Sequence, residues 1–269
     1  MLTLSQSRLN KIESCFAQFY YSDIQKIKVP WIIWPGTLFG SIAHEVAEMA
    51  MTLKNEGLDD RKVMTLVDGG FGKIFDSVLE KQIARDGKFQ RTRNYDKTVF
   101  LQEGNSRTLN LIKEVLIDLR KIKWKKLHPE HNVNRKFNDD YFLDGTIDLL
   151  VELEDGDYRI FDYKTTSNLD KFLHKDFEKD FQSIMYENLV KENTGKKVLS
   201  FTYYAQSSKE DSFLKNHHEI KTERFSYIEQ KITELDEKIQ KANGGEIEYN
   251  PEKSTCKFCA YNKMCPKAA

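Results

Sequence analysis

Residues 144–166 read DGTIDLLVELEDGDYRIFDYKTT, two runs of largely alternating apolar and polar residues joined by the turn signal EDGD. Alternation with a period of two is the mark of half-buried strands, and a Gly-containing turn between such runs makes a hairpin. Three charges break the pattern: Asp148 inside the first run, and Asp162 and Lys164 near the end of the second. Antiparallel pairing about a turn at 154–157 brings residue 148 beside 162 or 163. The period of two then puts Asp162 and Lys164 on one face with Tyr163 opposite. Two adjacent carboxylates repel, so one takes up a proton unless a cation stands between them. A hard divalent ion such as Mg²⁺ or Mn²⁺ removes the conflict, and bound there it would polarise a phosphoryl oxygen and acidify a water. An Asp162–Lys164 salt bridge at a sheet edge is the bland alternative, because DxK is short and common.

The rest of the chain frames this hairpin. Residues 4–21 carry apolar residues at helical spacing after a Ser cap, and TLFGSIAHEVAEMAMTLKNEG reads as a helix ending at Gly57. An aromatic linker with two prolines, KVPWIIWPG, separates them. Residues 59–126 read as mostly helical, interrupted by Gly69, Gly70 and Gly72. Strands are expected at 131–138, 141–154 and 157–165, a helix at 170–193, a strand in KKVLSFTYYAQ and a long charged helix over 211–242. DGGFGKIF is not a nucleotide-phosphate loop: the motif needs Gly where Val67 stands and Ser or Thr where Ile74 stands.

Composition bounds the function. With 42 basic and 42 acidic residues the 269-residue chain has no net charge, so nucleic-acid binding by bulk charge is excluded and any such contact needs a local patch. Residues 113–136 are one candidate, with eight Lys or Arg against three Asp or Glu, and Trp124 among Lys121, Lys123, Lys125 and Lys126 offers a stacking surface; a solvated face and a core tryptophan explain the same residues. No run of about eighteen apolar residues appears and the N-terminus lacks the apolar stretch of a secretory signal, so a cytoplasmic protein without membrane contact is expected. Of four cysteines, Cys256, Cys259 and Cys265 form C-x2-C-x5-C and Cys15 stands far upstream. Four thiolates suit a [4Fe–4S] cluster or a structural Zn²⁺ ion, and either would staple the two chain ends together.

Two further pieces complete a set. His44 follows a glycine on a helix, in GSIAHE, and Gln182 and Tyr186 lie four apart on one helix face, in FQSIMY. Glu45 and Glu48 flank His44, with Glu48 one helical turn beyond it. In order, His44, Gly145-x-x-Asp148, Asp162-x-Lys164 and Gln182-x-x-x-Tyr186 resemble the RecB-like branch of the PD-(D/E)xK nuclease superfamily. The cysteines and the stretch SQSRLNKIESC are similar to its iron–sulfur subset, the AddB and CRISPR-associated exonuclease type, although Phe16 stands where proline is frequent and no proline precedes Asp148.

The resemblance implies an α/β fold with a restriction-endonuclease-like core, a mixed central sheet flanked by helices, plus a helical insertion at about 59–126 and the four-Cys staple. It implies one nuclease domain over 1–269, with 1–28 and 252–269 as cluster-binding ends and 40–210 as catalytic core. Asp148 and Asp162 would hold the metal, helped by His44 and the Tyr163 carbonyl. Lys164 would position the attacking water, Gln182 would support the lysine or the DNA, and Tyr186 would contact DNA or brace its helix. The implied activity is Mg²⁺- or Mn²⁺-dependent DNA cleavage, as an exonuclease on single strands or ends, in DNA repair, recombination, phage DNA processing in the host cytoplasm or CRISPR adaptation. A noncatalytic nucleic-acid-binding protein that keeps the fold, and a nuclease acting on RNA, are the rival readings.

Overall fold

The computed structural model describes residues 1–29, 31–85, 87–89, 96–221, 224–251, 256 and 259–267, with the side chains of 31 and 87–89 outside that description. Its centre is the hairpin. β4 (Trp124–Lys136), β5 (Tyr141–Leu153) and β6 (Tyr158–Thr166) form an antiparallel meander. The tight turn after β5 uses Gly156 at φ +89°, a conformation open to glycine without a Cβ penalty. β5 is buried along most of its length because helices cover both faces of the sheet, which explains the near-continuous run Ile147, Leu149, Leu150, Val151.

β6 crosses over to the parallel strand β7 (Val198–Ser207) through α6 (Asp170–Leu173), a 3₁₀ turn (Phe177–Lys179) and α7 (Phe181–Thr194). β8 (Phe213–Glu219) pairs antiparallel with β7 at the edge. On one face lie α3 (Pro35–Asn55), α4 (Asp60–Ala84) and α5 (Lys97–Leu119), packed with Leu149, Val151, Phe161, Tyr163 and Tyr204. On the other lie α7, α8 (Phe225–Asn243) and the N-terminal helices α1 (Gln6–Ser14) and α2 (Phe16–Phe19), packed with Ile147, Leu150, Ile160, Phe201 and Tyr203.

The sheet is forked. β5 and β6 pair only from Leu149↔Phe161 to Glu152↔Tyr158. Further along, the same edge of β5 is taken by β1 (Leu2–Leu4), running parallel against Tyr141–Leu143. Residues 144–148 lie in the gap between these partners. The alternation also slips here: Leu143 and Ile147 pack toward α7, whereas Leu149 and Val151, still in odd positions, pack toward α3–α5. β4 slips at the same level, where Glu130 takes φ +44°. Asp148 interrupts the apolar run because the strand changes phase at that residue.

Several expected elements differ. The helix read over 4–21 is broken at Cys15, which is extended (φ −163°, ψ 106°), and the chain re-enters helix at α2 and then a π-turn over Tyr20–Ile24. Gly69, Gly70 and Gly72 do not interrupt α4: glycine costs a helix about 1 kcal/mol each, and the buried stripe Val63, Val67, Phe71, Phe75, Val78 outweighs that. Residues 124–126 belong to β4 and not to the helical insertion expected over 59–126. The single helix read over 170–193 is α6, the 3₁₀ turn and α7, stopped by Gly195 at φ +69°. The long helix at 211–242 is β8 followed by α8; FLKNHHE is a half-exposed edge strand whose weak alternation gives little signal. A small parallel pair, β2 (Trp31–Ile33) with β3 (Gly87–Phe89), was not anticipated. Of the cluster-binding end expected at 252–269, residues 252–255, 257, 258, 268 and 269 lie outside the described residues, as does Pro30 of the aromatic linker.

α7 lies directly on β5 at Gly145: a Cβ there would meet Tyr186 Cε1 at 2.5 Å and Met185 Cε at 3.3 Å. Gly145→Ala is therefore expected to destabilise the protein by about 1–3 kcal/mol through overpacking, read as a lower denaturation midpoint with an unchanged m-value.

Candidate active site

Where β6 leaves β5, its backbone needs new partners. The Tyr163 N–H finds the Asp148 carboxylate, donating to Oδ2 at 2.6 Å. The other oxygen, Oδ1, lies 3.1 Å from His44 Nδ1 on α3, and Glu130 Oε1 lies 3.7 Å from the same nitrogen. Among the described residues, His44, Glu130 and Asp148 are the group of metal-ligating side chains whose ligand atoms fall within 4.8 Å of one another. The β4–β5 register, with Pro129↔Leu149 and His131↔Ile147, puts residue 130 opposite 148. Sequence reasoning missed Glu130 because the strand was begun one residue too late, at 131. A longer strand with the same pairing would have found it. α3 can approach because it is glycine at 40: a Cβ there would lie 2.9 Å from Thr165 Oγ1 at the end of β6.

Asp162, Lys164 and Gln182 meet on the α7 side. Asp162 is fully buried; Gln182 Nε2 donates to its Oδ1 at 2.5 Å, and Lys164 forms an ion pair with Oδ2. Gln182 Oε1 accepts from Gln6 Nε2 on α1 at 2.5 Å, and the Tyr203 hydroxyl lies 3.3 Å away while donating to Asp180 Oδ2 at 2.5 Å. Tyr186 does not face outward. It donates to the Thr146 carbonyl at 2.7 Å, with its ring over Gly145. Side-chain exposure rises from 1% at Asp162 and 9% at Asp148 to 21% at Lys164 and 32% at His44, so the constellation opens to solvent on its lysine and histidine side.

Two strands thus present acid groups beside a lysine at a fork in a mixed sheet, with a helical histidine above. A family model described as the PD-(D/E)XK nuclease superfamily matches residues 3–266. The chain belongs to the PD-(D/E)XK nuclease superfamily. No curated protein matches it significantly. Among solved structures, one described as SSO0001 is 14% identical with a TM-score of 0.37, covering 97% of this chain and 95% of that one. A protein from Eubacterium rectale described as a candidate exonuclease is 14% identical with a TM-score of 0.44, covering 81% and 82%. The mixed sheet flanked by helices fits the restriction-endonuclease-like core of this nuclease superfamily, whose members act on nucleic acid.

At this PD-(D/E)XK site two buried carboxyls face a histidine and a lysine, and each shifts the others. Burial pushes the Asp162 carboxyl up to about 7, with Lys164 opposing and Asp148 adding to the shift. Asp148, equally buried, is nonetheless held below the usual carboxylate range by His44, Lys164 and the Tyr163 N–H. Burial works against a charged His44, but the Asp148 carboxylate raises its pKa to about 10. A cation entering this group would therefore displace a proton. Of the flanking acids, Glu45 is bound by Lys81 at 2.8 Å, whereas burial and then Glu130 push the Glu48 carboxyl upward.

Cys15, Cys256, Cys259 and Cys265 line one small cavity together with Tyr21 and Tyr261. Burial raises the Cys259 pKa, and the other three cysteines add to it. The proposed basic patch is largely spoken for: Lys121 bonds Asp118 and Lys125 bonds Glu152, while Trp124 packs against the α3–α5 core. No helix among the described residues is long and apolar enough to cross a membrane.

A carboxyl with a folded pKa near 7 and an unfolded pKa near 4 favours the folded state at low pH and loses that contribution as pH rises through 7. In chelator, Asp162→Asn removes the ionisation. Its melting temperature relative to wild type is expected to rise between pH 5 and pH 8; a pH-independent difference would contradict the assignment.

Proposed function

We propose that this chain is a divalent-metal-dependent deoxyribonuclease acting as an exonuclease on single strands or DNA ends, with residues 1–269 forming one nuclease unit. The observation that carries the reading is the convergence of His44, Glu130 and Asp148, whose ligand atoms lie within 4.8 Å of one another, with the fully buried Asp162 near enough for the Asp148 charge to push its carboxyl upward. Buried carboxylates brought together in this way repel, and a divalent cation relieves the repulsion. The donor set is oxygen-rich with one imidazole, which fits Mg²⁺ or Mn²⁺.

Asp148, Asp162 and the Tyr163 carbonyl would hold the ion, with His44 and Glu130 completing the shell. When bound, the ion supplies Lewis-acid polarisation of the scissile phosphate and a more acidic water. Lys164, part-exposed and paired to Asp162, orients the attacking water and offsets charge that builds on the phosphate oxygens. Gln182 keeps Asp162 aimed by donating to Oδ1. Tyr186 braces α7 on β5 through Thr146. The activity suits DNA repair, recombination, phage DNA processing or CRISPR adaptation.

The four-thiol cavity supports membership of the iron–sulfur branch. A tetrahedral zinc ion at Zn–S distances of about 2.3 Å draws its sulfurs to about 3.8 Å from one another. Four thiols around one cavity also suit a [4Fe–4S] cluster, and the C-x2-C-x5-C trio with a distant Cys15 is less typical of structural zinc, which more often uses two close pairs. Such a cluster would tie α1 to the C-terminal segment.

Asp162→Asn and Lys164→Ala are each expected to lower Mn²⁺-dependent cleavage of end-labelled single-stranded DNA by about 10²-fold or more, with cooperative unfolding retained. Chelator should abolish wild-type cleavage, and closed circular DNA should resist it. Normal cutting by either variant, a wild type that binds DNA without cutting it, or a preference for RNA would sink the reading. Anaerobically purified protein should be brown, with about four irons per chain, and Cys15→Ser should lose both colour and thermal stability. A colourless zinc protein would reject the cluster.

A further inference from the structure

Gln182 can support Asp162 only if its amide nitrogen, and not its oxygen, faces the carboxylate. A glutamine amide is nearly symmetric in shape, and the two orientations differ only in which neighbours donate and which accept. On the far side of this amide stand two groups. The Tyr203 hydroxyl lies 3.3 Å from Gln182 Oε1, but its single proton is committed to Asp180 Oδ2 at 2.5 Å. What Tyr203 shows to Gln182 is therefore a lone pair, which favours the flipped amide with nitrogen toward Tyr203 and oxygen toward Asp162. The flipped amide would set an acceptor against a buried carboxylate. Asp162 and Gln6 settle the matter together: the carboxylate can only accept, so Gln182 turns Nε2 to Asp162 Oδ1 at 2.5 Å, and Gln6 meets the oxygen left on the far side with a donor, Nε2, also at 2.5 Å.

We propose that Gln6 is a positioning residue that sets the orientation of the Gln182 amide and through it the charge and aim of Asp162. The inference rests on the metal-site reading above. Gln6 is well placed to hold an orientation. It opens α1, and that helix is clamped by Arg8, which donates to the Thr3 carbonyl at 2.5 Å and pairs with Asp23 at 2.6 Å, and by Lys11, which reaches Asp23 at 3.1 Å. Its far end is Cys15, one of the four thiols, so the chain-end staple and the buried carboxylate share one helix. Gln6 is the glutamine of the SQSRL stretch that precedes Cys15.

The test compares Gln6→Glu, Gln6→Ala and Gln6→Lys on the full-length protein, measuring Mn²⁺ affinity by titration calorimetry, kcat and KM on single-stranded DNA, and thermal unfolding. Gln6→Glu replaces the donor by an acceptor and forces the flip: Mn²⁺ binding should weaken and kcat should fall, each by about 10-fold or more, the cost of one reversed charged hydrogen bond, with KM little changed. Gln6→Ala should fall between, and Gln6→Lys, which keeps a donor, should recover Mn²⁺ affinity toward wild type. If wild type binds Mn²⁺ and Gln6→Glu binds it equally well, Gln6 is only a packing residue and this proposal alone fails. Equal losses in all three variants, tracking lost thermal stability, overturn it too. A wild type that does not bind Mn²⁺ fails the metal-site reading first and this one with it.

Discussion

The hydrogen bond from the Tyr163 N–H to the Asp148 carboxylate is the interaction on which the rest of the structure turns. A strand cannot leave its neighbour inside a covered sheet without stranding backbone donors, and a buried unsatisfied N–H costs about 1–3 kcal/mol. Asp148 takes over that donor with a charged acceptor, and β6 is free to diverge from β5. The carboxylate that permits the fork is then fixed at its apex, facing α3. Its second oxygen is left for His44 and for whatever enters beside Glu130.

Closing the fork requires two helices to come unusually near the sheet. Gly40 lets α3 meet the end of β6, and Gly145 lets Tyr186 of α7 lie on β5. Each glycine forgoes side-chain packing to bring a functional element into range, His44 in one case and Gln182 in the other. Between them the polar groups Asp180, Tyr203, Gln182, Gln6 and Asp162 form a connected chain of hydrogen bonds in low dielectric, where each bond is strong and each gap expensive. Asp162 Oδ2, paired with the Lys164 ammonium, stands at the end of that chain. Glu130 adds local strain, since a non-glycine residue at φ +44° within a strand persists only where surrounding contacts hold it.

Legibility followed the strength of local pattern. The hairpin was readable because β5 and β6 alternate strongly and are joined by a glycine turn, so the neighbourhood of residues 148 and 162 followed from counting. Gln182 and Tyr186 were readable as one helix face, although their distinct tasks, one toward Asp162 and one toward Thr146, were not. Cys15 with the C-terminal trio pointed to a common site, and all four line one cavity. By contrast FLKNHHE showed weak alternation because it lies at an edge, and α4 looked broken because glycine propensity was weighed without the buried valine and phenylalanine stripe that overrides it.

Taken alone, the sequence determined which residues share a face and which strands adjoin, since periods of 2 and 3.6 and the length of a turn are properties of the local backbone. It therefore carried the expectation of an acid–acid–lysine grouping and determined the superfamily to which the chain belongs. Only the tertiary structure decided that Glu130 joins His44 and Asp148, that Tyr186 is spent on the backbone, and that Gln6 orients Gln182. Those pairings depend on a change of strand phase at residues 130 and 148 and on a helix 176 positions away in the chain. Both arise from how elements pack, and a local period carries no trace of either.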